Sequence, residues 1–361
     1  MKPQIIDNGK QKNNSQIQRF PRLSGAGYTT IKSKKNRFMK KIFLFLLISG
    51  LASSCYEDYI KDFDYNAVYF THQFDVRTFV VGEGMKIDVG VAMGGAAERS
   101  RDLKVGFQID PALITPAILT SMKAGLPYIK NAVSSVSALQ LLPANYYTLS
   151  NQEEFTIKKG EFSGRITLKP DSTAFLSDPA TLNATYVLPL LIKDSETDSI
   201  LHAKNYSVIG FKYESKLFGM YWHGGVTVEK DPAGNVINTI KYYSAIPMPE
   251  TTVWTLKTEG PFELTANGYS NIRSSKPELK ITLNGGNISL DRAVGSTFAF
   301  EPDGENIYNN ARLLQNRKLF LKYKYQNSAG NWCHATDTLI FRNRLRDGVS
   351  EWQDLNPANY D

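Results

Sequence analysis

The sequence contains little cysteine and histidine, the residues that most often form stabilising disulfide bonds or bind a metal. Its 361 residues contain only two cysteines and four histidines, and the histidines stand singly along the chain. Two cysteines allow at most one disulfide bond, and none if one of them is modified. Histidines that are scattered in sequence do not indicate a metal site. We therefore predict neither a disulfide framework nor a bound metal.

Motifs for nucleotide binding and catalysis are lacking as well. The chain has no Gly-x-x-x-x-Gly-Lys-Ser/Thr loop and no Gly-x-Gly-x-x-Gly after a strand, so no nucleotide cofactor is indicated. It has neither a Gly-x-Ser-x-Gly elbow nor a His-Glu-x-x-His helix. We predict no cofactor, no catalytic residues and a function that is not enzymatic. Two facing carboxylates can come from distant parts of a chain, which keeps a glycan-active hydrolase as the third hypothesis.

A basic surface is absent from most of the chain. The net charge is +7, but residues 1–54 carry eleven Lys or Arg and one acid, so the rest of the chain has a net charge of −3. Proteins that bind nucleic acid need clustered positive charge against the phosphates. We therefore predict no nucleic-acid partner.

Residues 39–58, MKKIFLFLLISGLASSCYED, have the layout of a secretory signal peptide. Two lysines precede the apolar run from Ile42 to Leu51, which is about half the ~20 residues needed to cross a bilayer as a helix. Small residues then lead to Cys55, and this stretch resembles a bacterial lipobox, in which the cysteine is acylated. The following Glu57-Asp58 resembles the export signal of Bacteroidetes surface lipoproteins.

These features predict a lipid-anchored protein. Residues 1–54 are expected to be removed, Cys55 to be lipidated, and residues 55–65 to tether the protein to the outer membrane, facing the extracellular side. Either Met1 or Met39 is the true start. The alternative is an ordinary signal peptide followed by an unrelated cysteine. If Cys55 is lipidated, Cys333 has no partner, and we interpret it as a thiol packed in the core.

From residue 66 onward, short alternating segments separated by Gly, Pro, Asn and Asp are typical of an all-β protein. We predict an immunoglobulin-like β-sandwich over residues 66–214, with a short helix within Pro111–Gly125 that leads into a loop, Leu126–Pro143. Residues 215–361 are predicted to form an antiparallel lipocalin-like β-barrel or a second β-sandwich, since closing the sheet removes its edges. Asn284-Gly285-Gly286 predicts a tight hairpin.

One detail favours the barrel over the second sandwich. The C-terminal part begins with Gly219 and Trp222 and ends with a strand over residues 337–342, followed by Arg344. This resembles lipocalin-like barrels, in which a Trp of the first strand packs under an Arg from the last. A planar guanidinium can stack on an indole and cap the barrel end. The Trp here follows the Gly by three positions instead of two.

The C-terminal part also contains all four tryptophans. Exposed aromatic rings are a common platform for sugars, because the C–H bonds of a pyranose meet the ring face while its hydroxyls reach polar neighbours. Aromatic residues fill protein cores as often, and strand alternation must turn some of them inward. The candidate glycan-binding residues are Trp222, Trp254, Trp332, Tyr269 and Tyr308.

Two groups of segments resemble known families. The first resembles the N-terminal β-sandwich of domain of unknown function family 1735 and comprises Met93-Gly94-Gly95, Tyr146-Tyr147-Thr148-Leu149 and Thr185-Tyr186-Val187-Leu188-Pro189-Leu190. The second resembles its frequent C-terminal partner, domain of unknown function family 4361, and comprises Trp222-His223-Gly224-Gly225, Thr251-Thr252-Val253-Trp254 and Asn331-Trp332-Cys333-His334.

Such proteins are Bacteroidetes surface lipoproteins encoded beside SusC/SusD-type uptake systems. The resemblance therefore implies a glycan ligand, with SusC/SusD-type proteins as possible partners. The sequence leads to a first hypothesis of a non-catalytic glycan-binding lipoprotein serving polysaccharide uptake. The alternative is a structural or accessory subunit that contacts other proteins of an outer-membrane uptake complex.

Overall fold

The computed structural model describes residues 65–95, 101–242 and 252–354. The predicted signal segment 1–54 and the lipidation site Cys55 lie outside these residues, as does all but the last residue of the predicted tether. The described residues belong to one compact unit, Phe63–Asp361. They are built mainly of β-strands, as predicted, and the strands form two large sheets.

The first sheet contains the first eleven strands of the described chain. They are β1 (Ala67–Tyr69), β2 (Phe74–Val80), β3 (Ile87–Gly94), β4 (Leu103–Ile109), β5 (Gln140–Leu141), β6 (Tyr147–Leu149), β7 (Glu154–Ile157), β8 (Ser163–Pro170), β9 (Tyr186–Ser195), β10 (Ser199–Ile200) and β11 (Tyr206–Glu214). Their order is β10-β1-β3-β8-β7-β4-β9-β11-β2, with β5 beside β9 and β6 beside β8.

This sheet must be strongly curled. β1 pairs antiparallel with β3 near one end of the sheet, whereas β2 pairs parallel with β11 at the other end. Only five residue steps separate Tyr69 from Phe74, and they can span about 17 Å at most. A flat path of nine strands would be about 38 Å wide. The two ends are therefore brought together, and the sheet encloses one apolar core that includes Phe79, Phe155 and Phe211.

Between residues 101 and 214, the structure has three short α-helices: α1 (Pro116–Lys123), α2 (Pro127–Ala132) and α3 (Ser172–Ser177). The predicted helix within Pro111–Gly125 is confirmed by α1, which begins at a proline after Thr115, whose side chain accepts from the Ile118 N–H. The region Leu126–Pro143, expected to be a loop, contains α2. Its buried Ile129 joins Met122 of α1 in a second apolar cluster against β2 and β11, so tertiary burial stabilises a helix that the sequence pattern did not predict.

The second sheet contains most of the remaining strands. The strands of this part are β12 (Gly219–Lys230), β13 (Val236–Tyr242), β14 (Val253–Gly260), β15 (Glu263–Ala266), β16 (Gly268–Tyr269), β17 (Ile272–Arg273), β18 (Leu279–Asn284), β19 (Asn287–Arg292), β20 (Glu301–Pro302), β21 (Ile307–Tyr308), β22 (Lys318–Gln326), β23 (Trp332–Arg346) and β24 (Val349–Glu351). β16 and β17 form a separate two-stranded hairpin.

The strand pairing decides between the barrel and the second sandwich. Eight strands follow one another in the order β12-β14-β15-β18-β19-β21-β22-β23, and β23 pairs again with β12. Every pairing in this ring is antiparallel. The ring is therefore a closed barrel, and one half of its interior is filled by Leu256, Leu264, Leu279, Ile281, Leu319, Leu321, Leu339 and Phe341.

Two local predictions can be compared with this barrel. The hairpin at Asn284-Gly285-Gly286 is present: Asn284 pairs with Asn287, and Gly285 has a φ of +66°. The arginine that stacks on Trp222 is Arg342, whose guanidinium lies 4.8 Å from the ring centroid. The sequence pattern pointed to Arg344, which instead turns inward and lies 5.0 Å from the ring of Phe218. On a regular strand, residues 342 and 344 would point to the same face. They point to opposite faces here because the pairing of β12 with β23 shifts register between Met220 and Tyr221.

A buried ion cluster joins the two sheets. Glu83, in the turn after β2, accepts hydrogen bonds from Arg344 at 2.7 and 2.9 Å and from Arg317 at 2.7 Å. All three side chains are at most 3% exposed. Burial by itself would raise the pKa of Glu83, but the hydrogen bonds and charges of the two arginines outweigh it and lower that pKa. The cluster therefore holds the sandwich on one end of the barrel through charged groups that depend on one another.

Candidate functional site

Two of the predicted glycan-binding residues are enclosed by the barrel. Trp254 has no exposed surface, and its ring stacks on His223 at 4.0 Å between centroids. Tyr308 is 4% exposed and donates a hydrogen bond to the Ala311 carbonyl. Neither ring presents a face to solvent, because both residues point inward on their strands. The prediction that Trp254 and Tyr308 contact a glycan is therefore wrong for this structure, since both side chains belong to the barrel core.

Trp222 and Trp332 lie on the outer face of the barrel and are half-buried. Each ring has a cation over it: Arg342 on Trp222, and the Lys324 ammonium 4.5 Å from the Trp332 centroid. In the β12–β23 register Trp222 is opposite Ile340, eight residues from Trp332. Eight residues of strand measure about 26 Å, so the two rings do not share one platform.

The fifth predicted residue, Tyr269, lies in the small β16–β17 hairpin. Its ring stacks on Phe298 at 3.7 Å and meets Tyr325 edge-on at 5.6 Å. Tyr269 is half-buried, and burial raises the pKa of its phenol. The structure thus divides the predicted residues among the barrel core, two separate positions on its outer face and this aromatic cluster.

Inside the barrel, Asp337 is the centre of a polar network that the sequence analysis missed. Its carboxylate accepts hydrogen bonds from Tyr242 and Tyr323, each at 2.6 Å, and lies 3.1 Å from His223 Nε2. Asp337 and His223 are both buried. Burial and the Asp337 charge raise the pKa of both phenols, so the tyrosines remain protonated donors. The carboxylate is engaged by the barrel's own side chains, which makes the network a support for the barrel.

An open pocket in the sandwich has a different character. It has a volume of about 770 Å³, within the range of small-molecule sites. Phe107 and Leu149 form apolar parts of its wall, together with the half-buried ring of Tyr147, which packs against the core of the sandwich. The exposed side chains around it are Gln108, Gln152, Glu153 and Lys193. We call this site the Tyr147 pocket.

Local backbone geometry positions these residues. At Gly106 the pairing of β4 with β9 shifts register, and a Cβ there would lie 2.3 Å from Asp194 Oδ1, so a larger residue would displace the exposed Asp194 side chain. The next residue, Phe107, donates its N–H to the Glu153 carbonyl. Asn151 accepts from the N–H groups of Glu153 and Glu154, which fixes the turn that carries Gln152. The polar side chains are therefore presented by an ordered backbone.

The polar groups of the Tyr147 pocket are uncommitted. Across residues 65–95, 101–242 and 252–354, no group forms a hydrogen bond with the side chains of Gln108, Gln152 or Glu153, or with the Tyr147 hydroxyl. Lys193 has one loose ion pair, to Asp194 at 3.9 Å. Partial burial raises the pKa of Tyr147, which keeps its hydroxyl protonated. Amide, carboxylate, ammonium and phenol groups beside an apolar wall can bind a polyhydroxylated ligand without any covalent chemistry.

A sequence signal for this pocket exists in the pair Tyr146-Tyr147. Adjacent strand residues point to opposite faces, so one ring of such a pair must turn away from the core. Tyr146 ends a 3₁₀ turn and packs inward, meeting Phe175 edge-on and donating to Asp178 at 3.1 Å. Tyr147 begins β6 and lines the pocket, with its half-buried ring also packed against the core of the sandwich. The neighbouring Gln152 and Glu153 belong to a turn, and only the fold places them beside β4.

Fold and site together describe an all-β protein with a sandwich, a closed barrel and an open polar pocket. Residues 63–199 match the model of a protein family described as "-like, N-terminal domain". Within the described residues, no helix is long and apolar enough to span a membrane, and no group of three or more His, Cys, Asp or Glu side chains is arranged to hold a metal ion.

Among solved structures, the chain is similar to a protein of unknown function from Bacteroides ovatus, with 18% identity and a TM-score of 0.56. The match covers 81% of this chain and 99% of that one, and at this identity it shows a shared fold alone. A "putative carbohydrate binding protein" from Bacteroides ovatus ATCC 8483 matches at 16% identity over 62% of this chain and 67% of that one, with a TM-score of 0.26. No curated protein matches the chain.

Proposed function

We propose that this protein is a cell-surface lipoprotein that binds a glycan without transforming it and serves a polysaccharide-uptake system. The observation that carries the proposal is the set of uncommitted polar side chains around Tyr147. Glycan hydroxyls both donate and accept hydrogen bonds, and they match amides, a carboxylate and an ammonium equally well. A half-buried tyrosine supplies the apolar contact for the sugar ring.

The anchoring part of the proposal rests on the sequence around Cys55. A thioether-linked and acylated cysteine would hold the sandwich and barrel at the outer membrane surface. Labelling cells with a radioactive fatty acid should mark the wild-type protein, and Cys55→Ser should lose the label. A mature product that keeps residues 39–54 would contradict this part and leave the glycan pocket untouched.

The glycan part is tested with the purified mature protein on a glycan array, followed by calorimetry with the best ligand. Tyr147→Ala should weaken binding about tenfold or more, since a central aromatic contact often contributes that much. Tyr147→Phe, which keeps the ring, should lose less. Phe262→Ala, at a ring 56% exposed on the barrel part, is the matched control and should bind normally.

The same experiment compares the pocket with the aromatic residues of the barrel. If Trp222→Ala or Trp332→Ala weakens binding and Tyr147→Ala does not, the site lies on the barrel and the pocket assignment is wrong. If no glycan on the array binds and a pull-down recovers an outer-membrane transporter of the SusC/SusD type, the accessory-subunit hypothesis replaces glycan binding.

A further inference from the structure

Strand β13 is an exposed sheet edge with apolar side chains on both of its faces. It pairs with β12 on one side, and no strand among the described residues pairs with its other side. Val236, Ile237 and Ile240 are 59%, 52% and 38% exposed. An unpaired edge of seven residues presents a row of backbone N–H and C=O groups, which favours the addition of another strand.

The other ends of the two sheets are protected. β10 and β24 have only two and three residues, too few for extended pairing. The edge of β2 is covered by the turn between β23 and β24, where Asp347 accepts the N–H of Thr78 at 3.2 Å. β13 is longer than β10 and β24 and no segment of the described residues covers it, and Lys241 is its single charged residue. The contrast indicates that this edge is kept available.

The edge is also rigidly held. The Glu229 carboxylate of β12 accepts hydrogen bonds from Asn327 and Asn331, in the turn between β22 and β23, at 2.7 and 2.8 Å. On β13 itself, the Tyr242 hydroxyl donates to Asp337 inside the barrel at 2.6 Å. A strand that is paired along β12 and anchored at Tyr242 loses little conformational entropy when a partner pairs with it.

The side chains of β13 are complementary to themselves. In an antiparallel pair related by a two-fold axis through Asn238, Val236 of each copy is opposite Ile240 of the other. Ile237 is then opposite Thr239, and Lys241 is opposite Asn235, so no like charges face each other. A two-fold contact uses the same patch on both copies and closes without further growth.

We propose that β13 pairs antiparallel with β13 of a second copy of this chain and joins two barrels in one continuous sheet. This inference is independent of glycan binding, because the Tyr147 pocket is in the sandwich. The dimer would place two pockets on one particle, which strengthens binding to a polymeric glycan through multivalency.

The test is analytical ultracentrifugation of the mature protein over a range of concentrations, with a cross-linking variant. Asn238→Cys should form a disulfide-linked dimer under mild oxidation, since only this register brings the two copies of residue 238 together at the axis. Ile240→Lys should raise the dissociation constant about tenfold or more, because each apolar cross-strand pair would become a mismatched one. Val294→Lys, at a residue 97% exposed in a loop, is the matched control.

A wild-type protein that remains monomeric at all concentrations and an Asn238→Cys variant that does not cross-link would overturn the proposal. A dimer that survives Ile240→Lys unchanged would also overturn it, since its interface would then lie elsewhere. Circular dichroism of both variants should match the wild type, as the substituted side chains are on an exposed strand.

Discussion

The barrel interior and the Tyr147 pocket contain similar chemical groups in opposite situations. Around Asp337, tyrosine hydroxyls and a histidine are buried and engaged with one another. Around Tyr147, exposed amides and a carboxylate and the half-buried phenol have no hydrogen-bond partner among the described side chains. Buried polar groups must be satisfied because leaving one unpaired costs about 1–3 kcal/mol. Polar groups without a partner on an ordered surface are free to bind a ligand. The Asp337 carboxylate, which is already hydrogen-bonded to the two tyrosines, therefore supports the barrel, whereas the groups around Tyr147 form the candidate site.

The largest effect is expected where the two sheets meet. Glu83→Ala leaves Arg344 and Arg317 buried without their carboxylate and should lower the free energy of unfolding by about 3–5 kcal/mol. Glu301→Ala is the matched control, because its ion pair with Lys324 is exposed and contributes about 0–1 kcal/mol. Urea denaturation of both variants measures the difference. Equal losses would show that burial does not set the strength of the Glu83 cluster.

The same glutamate predicts part of the acid sensitivity. Its folded-state pKa is lower than 4.5, the pKa of the free side chain. The stability that Glu83 contributes is therefore complete above about pH 4.5 and is lost as the pH falls through the lower folded-state value. Stability curves from pH 3 to 7 should be flatter at the acid end for Glu83→Gln, and an unchanged slope would contradict the assignment.

The next largest effect should come from the barrel network. Asp337→Asn removes the charge and replaces one of the two carboxylate oxygens by an amide group, although Tyr242 and Tyr323 each donate to a different one of these oxygens. The substitution should cost about 2–4 kcal/mol of stability. Glycan affinity should not change at temperatures where the variant remains folded. Asp303→Asn, at a part-exposed carboxylate paired with His334, serves as the control. A loss of affinity with normal stability would make the network part of the site.

A smaller effect is expected from the amides of the pocket. Gln108→Ala and Gln152→Ala should each weaken glycan binding about two- to tenfold without altering the free energy of unfolding, since neither side chain has a hydrogen-bond partner among the described residues to lose. Calorimetry and urea denaturation on the same samples test both statements. A measurable loss of stability would reveal that these groups are engaged within the protein after all.

The smallest effect is predicted for the outer face of the barrel. Trp222→Ala removes a ring that stacks with Arg342 and should cost about 1 kcal/mol of stability. Glycan affinity should stay within error of the wild type. Arg342→Lys, which keeps the charge and loses the planar stack, should give a still smaller change in urea denaturation.

Several parts of the fold could be predicted because their signals are local. Alternating side chains marked most strands, the segment Pro111–Gly125 was predicted to contain a short helix, and the paired glycines at 285 and 286 marked a hairpin. The sequence also predicted that an arginine near the end of the last barrel strand stacks on Trp222. The sequence did not identify this arginine as Arg342, because the register shift between β12 and β23 has no signature in the sequence.

The candidate site was less predictable for a related reason. Composition identified aromatic residues as candidates, but Trp254 and Tyr308 proved to be core residues, and nothing local distinguished them from Trp222. Tyr147 is positioned by the pairing of β6 with β8, whereas Gln108 and Gln152 come from β4 and from the turn at Asn151, so the pocket forms only after distant strands pair. Likewise, no sequence pattern near Asp337 predicted that Tyr242 and Tyr323 would donate hydrogen bonds to it.

By itself, the sequence determined the all-β class, the turns, the apolar faces of the strands and the predicted anchoring segment. These properties depend on residues a few positions apart, whose spacing is set by the geometry of the extended chain. Only the tertiary structure decided that β23 returns to β12 to close a barrel, and which polar groups are satisfied and which remain free. Those outcomes depend on contacts between residues more than a hundred positions apart, such as His223 with Asp337 or Glu83 with Arg344, which no local pattern encodes.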